Sequence, residues 1–145
     1  MAPRLVVPDA SVILKWVLAS ADEPDLAQAV ELRDSIADGR VRAVVPSLWI
    51  HEVGNTLARR LPERAEHSLG VLSRFDLESA PRSPRWLECA LDLTQRYAVT
   101  FYDASYHAHA IVGKGVFVTA DERYIGRAGQ AGFVMPLSEW TAGEP

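Results

Sequence analysis

Apolar residues along the chain fall into two alternating kinds of run. Short, β-branched stretches predict strands: "RLVVP" (Arg4–Pro8), "RAVVP" (Arg42–Pro46), "GVFVTA" (Gly115–Ala120) and "FVMP" (Phe133–Pro136), with "FDLESAP" (Phe75–Pro81) as a shorter fifth. "RLVVP" carries no polar alternation, as for a strand buried on both faces. Between these runs lie longer stretches with the 3.6-residue period of helices. "SVILKWVLA" (Ser11–Ala19) is predicted to start on a Ser11 cap, and "PDLAQAVELRDSIADG" (Pro24–Gly39) has proline near its start and glycine past its end. "SLWIHEVGNTLARRL" (Ser47–Leu61) is expected to open at Ser47, and "ERAEHSLGVLSRF" (Glu63–Phe75) follows the Pro62 break. "SPRWLECALDLTQRY" (Ser83–Tyr97) places Leu87, Ala90, Leu91 and Thr94 on one face; "YDASYHAHAIVG" (Tyr102–Gly113) and "DERYIGRAGQAG" (Asp121–Gly132) complete the set. Strand and helix alternate throughout, which predicts an α/β fold with a mostly parallel sheet between helical layers.

At 145 residues, with no repeat, linker or low-complexity segment, the expectation is a single domain over residues 1–145. No apolar run approaches the ~20 residues of a membrane span, and "MAPRLVVPD" has no secretory h-region, so a soluble, cytoplasmic protein is expected. The lone Cys89 excludes a disulfide framework and a cysteine-rich zinc site; its apolar setting in "WLECALDL" reads as a structural thiol. A formal charge of −4 gives no global basic footprint, so any nucleic-acid binding must rest on a local site.

The candidate chemistry lies in the carboxylates. Asp-Ala-Ser occurs twice, in "VVPDASVILKW" and "VTFYDASYHAHA", and a third aspartate follows the strand in "VFVTADERY". Singly, each reads as a helix cap, and Thr100–Asp103 and Thr119–Glu122 both have capping-box spacing. Asp121 in particular suits a helix first turn through the dipole alone. Together they mean more, because loops after the carboxyl ends of strands in an open α/β sheet converge on one crevice. Asp9 and Asp121 sit at such ends, Asp103 begins a helix, and Glu52 lies early in the helix after "RAVVP", with Asn55 three residues on along the same face. Four carboxylates facing one pocket repel by roughly 4 kcal/mol per close pair at an effective dielectric near 20, and so call for a cation. All-oxygen donors select Mg²⁺ or Mn²⁺ over zinc. "HEVGN" lacks the second histidine of a zinc-protease motif, and His107 and His109, two apart, point to different helix faces as structural or exposed residues. Acidic Mg²⁺ sites commonly hydrolyse or transfer phosphates, and with no G-x-x-x-x-G-K-[ST] loop the natural reaction is phosphodiester hydrolysis.

"VPDASVILKWVL", "PSLWIHEVGNTL", "YAVTFYDASYHAHA" and "VFVTADERY", in this order and spacing, resemble the PIN-domain ribonucleases, in particular the VapC-type toxins of toxin–antitoxin pairs. The resemblance spans Leu5 to about Trp140. It implies a three-layer α/β/α sandwich on an about five-stranded sheet, and it makes Asp9, Glu52, Asp103 and Asp121 the acidic, metal-binding quartet. Ser11, Thr119 and Asn55 match the polar positions beside it. The implied activity is Mg²⁺-dependent hydrolysis of RNA, with Mn²⁺ able to substitute. Asp9, Asp103 and Asp121 would hold the metal, and Glu52 would complete its shell or act through a bound water. The implied partners are RNA, a second copy of the chain in a homodimer, and a small VapB-type antitoxin that obstructs the site.

RNA would need local cations, for which Lys15, Arg59, Arg60, Arg123 and Arg127 are the candidates, each otherwise a solvated helix residue. Trp16, Trp49, Trp86 and Trp140 read as core or interface residues rather than base-stacking platforms. A phosphoacceptor receiver domain is disfavoured, since Asp9 has no acidic neighbour and Lys114 precedes its strand. The remaining alternative is a catalytically silent module of the same fold that only engages an antitoxin or RNA.

Overall fold

Each β-branched run becomes a strand of one sheet: β1 (Arg4–Pro8), β2 (Val41–Val45), β3 (Glu78–Ser79), β4 (Val116–Thr119) and β5 (Val134–Pro136). The computed structural model describes residues 2–18 and 20–141. The strands lie in the order β3-β2-β1-β4-β5 and every pairing is parallel, with Val6 opposite Ala43 on one side and Val116 on the other. The sheet is therefore wholly rather than mostly parallel. Helices supply the crossovers that parallel neighbours require.

These helices are α1 (Ala10–Lys15), α2 (Leu26–Ala37), α3 (Trp49–Arg60), α4 (Ala65–Ser73), α5 (Pro84–Tyr97), α6 (Phe101–Gly113) and α7 (Glu122–Ala128). From β1 the chain steps outward to β2 and β3, then returns to place β4 on the other side of β1 and β5 beyond it. Right-handed crossovers then put α1–α4 on one face and α5–α7 on the other. The packing agrees: α1 touches α2 and α3, and α3 touches α4, whereas α5 touches α6 and α7. Strand order reverses between β1 and β4, and that reversal opens a crevice beyond their carboxyl ends.

The main core gathers Val6, Val7, Val45, Phe117 and Val118 of the sheet with Ile13, Leu32, Val53 and Leu57 of the covering helices. On the far face Trp86, Ala90 and Leu93 of α5 pack on Ala104 and Ala108 of α6. This corrects the expected face of α5: Leu87 and Leu91 are exposed, while Trp86 turns inward and its indole N–H donates to the Ser105 carbonyl at 3.1 Å. The small Ala104 and Ala108 leave room for that indole. At Gly115 any β-carbon would stand 2.5 Å from the Leu5 carbonyl oxygen, so only glycine lets the chain enter β4 this close to β1.

Several helix starts also differ from the sequence reading. Ser11 lies inside α1 rather than capping it, and α1 ends at Lys15; Ala19, the end expected for that helix, lies outside the described residues. Leu48, not Ser47, holds the cap position of α3, and the Ser47 hydroxyl accepts from Arg82 at 2.6 Å. Ser83 does cap α5, accepting from the Trp86 N–H, and Pro84 follows at the first helical position. No helix among the described residues is long and apolar enough to cross a membrane.

Candidate active site

Asp9 occupies the N-cap position of α1, yet its side chain makes no cap bond. It turns instead toward β4. There its Oδ2 accepts from the Ser11 hydroxyl at 2.5 Å and from the Thr119 hydroxyl at 2.9 Å. Both hydroxyls are themselves fixed by backbone: Ser11 Oγ accepts from the Ala120 N–H at 3.1 Å and Thr119 Oγ1 from the Asp121 N–H at 3.0 Å. The Asp9 N–H adds a 2.9 Å bond to the Val118 carbonyl. One carboxylate, 7% exposed, thus ties the end of β1 to the end of β4.

Thr119 and Glu122 do not form the expected capping box, because the Thr119 hydroxyl is committed to Asp9 and Asp121 is itself the N-cap of α7. Asp121 Oδ1 accepts from the Arg123 and Tyr124 N–H groups at 3.0 and 3.2 Å. The capping role expected of Asp121 is therefore present, through one of its two oxygens. At α6 the cap is Thr100, whose hydroxyl accepts from the Asp103 N–H at 3.2 Å, leaving Asp103 half-buried in the first turn. Glu52, in the first turn of α3, is half-buried.

The four carboxylates are electrostatically linked. Glu52, Asp9 and Asp103 feel one another, and Asp103 also feels Asp121. Burial is the main reason that Glu52 is pushed up to about 7, with the charge of Asp9 next and that of Asp103 adding to it. Asp9 is also raised, first by burial and then by Asp103, although the Ser11 and Thr119 hydroxyls pull it down. Burial likewise raises Asp103, against the Thr100 hydroxyl. Among the described residues no three His, Cys, Asp or Glu side chains stand as a ready-made metal cage. The expected single pocket is likewise divided: Asp103 and Asp121 line a cavity of about 260 Å³ with Thr100, Arg123, Tyr124 and Arg127, while Asp9 and Glu52 are not in its wall.

The donor set nevertheless fits a hard divalent cation. It offers only oxygens, and three of its carboxyls are held above their ordinary range, first by burial and further by a neighbouring acid.

Of the basic candidates, Arg123 and Arg127 share the wall of that cavity with two of the acids. Arg59 and Arg60 are exposed on the last turn of α3, and Arg60 lines a different cavity with Leu61 and Arg64. Lys15 is drawn inward, 7% exposed, with its ammonium bonded to Glu23 at 2.9 Å and to the Pro24 carbonyl at 2.8 Å. Asn55 is exposed one turn beyond Glu52. His107 and His109 are both buried: His107 bridges the Tyr124 hydroxyl and the Gly132 carbonyl, each at 2.7 Å, and His109 stacks on Trp86. Since a carbonyl can only accept, His107 Nε2 donates and Nδ1 accepts from the tyrosine, as in a neutral structural imidazole. Burial raises the Cys89 thiol, consistent with an inert residue.

The residue that the sequence reading missed is Tyr106, fully buried on α6 one turn beyond Asp103. Its hydroxyl completes no hydrogen bond, although the Glu52 carboxylate stands close enough for each to shift the protonation of the other. The signal was the i, i+3 spacing from Asp103, which puts the two on one helical face.

A family model described as PIN domain matches residues 6–130. No curated protein matches the chain. Among solved structures, the fold is similar to that of PAE2754 from Pyrobaculum aerophilum, at 22% identity and a TM-score of 0.64, covering 94% of this chain and 91% of that one. VapBC2 from Rickettsia felis, bound to a DNA fragment from its promoter, is similar at 14% identity and a TM-score of 0.64, covering 91% and 98%. FitAcB from Neisseria gonorrhoeae is similar at 15% identity and a TM-score of 0.62, covering 93% and 99%.

The electrostatics generate a pH dependence. A carboxyl whose pKa is higher folded than unfolded binds more protons in the folded state, so stability falls as pH rises through that interval. For Glu52 the interval runs from 4.5 to about 7. His107 and His109, held neutral by burial, act in the opposite sense below their ordinary 6.5, so the carboxylate effect stands alone above that pH. In chelator, the melting temperature should fall between pH 6.5 and about pH 8, with a shallower fall in Glu52→Gln. Equal slopes in the two proteins would contradict this electrostatic picture.

Proposed function

The chain belongs to the PIN-domain family, and from that premise we propose that it is a metal-dependent endoribonuclease, one nuclease domain over residues 1–145, that hydrolyses RNA phosphodiester bonds. The observation that carries the reading is Asp9: a buried carboxylate at the strand-order reversal, withheld from capping, oriented by two hydroxyls, and close enough to feel Asp103 and Glu52. A structural cap would have no need of that arrangement.

Asp9, Asp103 and Asp121 would hold Mg²⁺, or Mn²⁺ in its place, with Glu52 completing the shell or acting through water. Bound there, the cation supplies neutralisation of phosphate charge and a lowered pKa for the attacking water. Ser11 and Thr119 set the orientation of Asp9 by occupying its Oδ2. The α7 cap fixes Asp121 in the same way through Oδ1. Arg123 and Arg127, in the wall of the cavity that holds Asp103 and Asp121, would meet RNA phosphates; Arg59 and Arg60 would contribute a longer-range field, and Lys15, already paired, would not.

We further assign the chain the role of a toxin in a type II toxin–antitoxin pair, acting in the cytoplasm, by analogy with similar structures described as toxin–antitoxin complexes, one of them from Klebsiella pneumoniae. A VapB-type antitoxin would then be one partner and a second copy of the chain another. The homodimer is supported by an apolar surface: Leu48, Leu87, Phe101 and Tyr102 are exposed around a cavity of about 250 Å³, and Leu91 continues the stripe one turn along α5.

Purified wild type should fragment a cellular RNA pool with Mg²⁺ or Mn²⁺ and not with chelator, and Asp9→Asn should abolish the fragments. Induced wild type, but not Asp9→Asn, should arrest growth. RNA shifted in mobility but never shortened would instead establish the silent binding module. Arg123→Ala should lower the salt slope of RNA binding by about one; an unchanged slope removes Arg123 from the interface. In sedimentation, wild type should run as a dimer and Leu87→Asp as a folded monomer, and a monomeric wild type would refute the dimer assignment.

A further inference from the structure

Tyr106 has no role in the reading above, yet its environment is unusual. The side chain is 0% exposed, and its ring stacks on Phe117 with centroids 5.9 Å apart. An apolar ring would serve that packing equally well. The hydroxyl it carries is sealed from solvent and completes no hydrogen bond, an arrangement that is costly unless a partner is found. The charges around it are Glu52, Asp9 and Asp103, all of one sign. Against ionised carboxylates a phenol has only one useful part to play, that of donor.

The geometry points to Tyr106 as the positioning residue for Glu52: we propose that its hydroxyl donates to one Glu52 oxygen and so fixes the other toward Asp9 and Asp103, where the cation site is assigned. The proposal rests on the nuclease reading and extends it to a residue beyond the acidic quartet. Two elements give it a mechanical basis. Asp103 and Tyr106 lie one turn apart on α6, so the helix that carries one acid also carries the donor for another acid on α3. Packing on Phe117 of β4 then anchors the donor to the strand whose end bears Thr119, the partner of Asp9. Three of the four acids are thereby registered against β4.

The test is a double-mutant cycle read by calorimetric Mn²⁺ binding to the RNA-free protein. Tyr106→Phe keeps the ring and removes only the hydroxyl, so its melting temperature in chelator should equal or exceed that of wild type. Its Mn²⁺ affinity should fall about ten-fold, the low end of what loss of a ligand's hydrogen-bond partner costs. In a Glu52→Gln background the same change should cost less than about two-fold, because the residue it acts through is gone. With RNA, Tyr106→Phe should lower kcat and leave KM unchanged. An equal loss in both backgrounds, or no loss in either, overturns the positioning role while leaving the nuclease reading intact. Failure of wild type to bind Mn²⁺ at all overturns both.

Discussion

The structure turns on a single buried carboxylate. Asp9 stands where strand order reverses, and its Oδ2 is the point at which the ends of β1 and β4 are joined through Ser11 and Thr119. A desolvated carboxylate is costly, and here two hydroxyl donors offset part of that cost while the backbone N–H groups of Ala120 and Asp121 hold the donors. The loop carrying Asp121 is thus placed by the same bonds that orient Asp9. Fold and site share one hydrogen-bond network.

That network does not remove the repulsion among the acids. Glu52, Asp9 and Asp103 all lie above their usual protonation range, with burial the first cause and a neighbouring acid a further one in each. Groups held in that condition gain from either a proton or a cation, and oxygen donors suit a hard divalent cation. Stability sacrificed at such a site is the ordinary accompaniment of function.

Much of this was legible in the sequence, because hydrophobic period reports burial and burial dictates the layers. The four short β-branched runs and their alternation with helices pointed to the parallel sheet, and the aspartates after β1 and β4 marked its switch point. What failed was local. Ser11 and Ser47 look like caps from composition, but a hydroxyl goes to the partner that tertiary structure offers, Asp9 in one case and Arg82 in the other. Leu87 and Leu91 carry a helical period, yet α5 buries Trp86 because the alanines of α6 admit it. Lys15 reads as a surface cation, but its pairing with Glu23 depends on how the loop after α1 folds back. Tyr106 was hidden among the small and apolar residues of α6 and became visible only through its buried hydroxyl.

The central claim is that these acids form one cation site. Crystals of the protein grown with Mn²⁺ and measured for its anomalous scattering test it most directly. The account predicts a strong peak beside the carboxylates of Asp9, Asp103 and Asp121. A map with no peak there, or with Mn²⁺ bound only elsewhere, would contradict it.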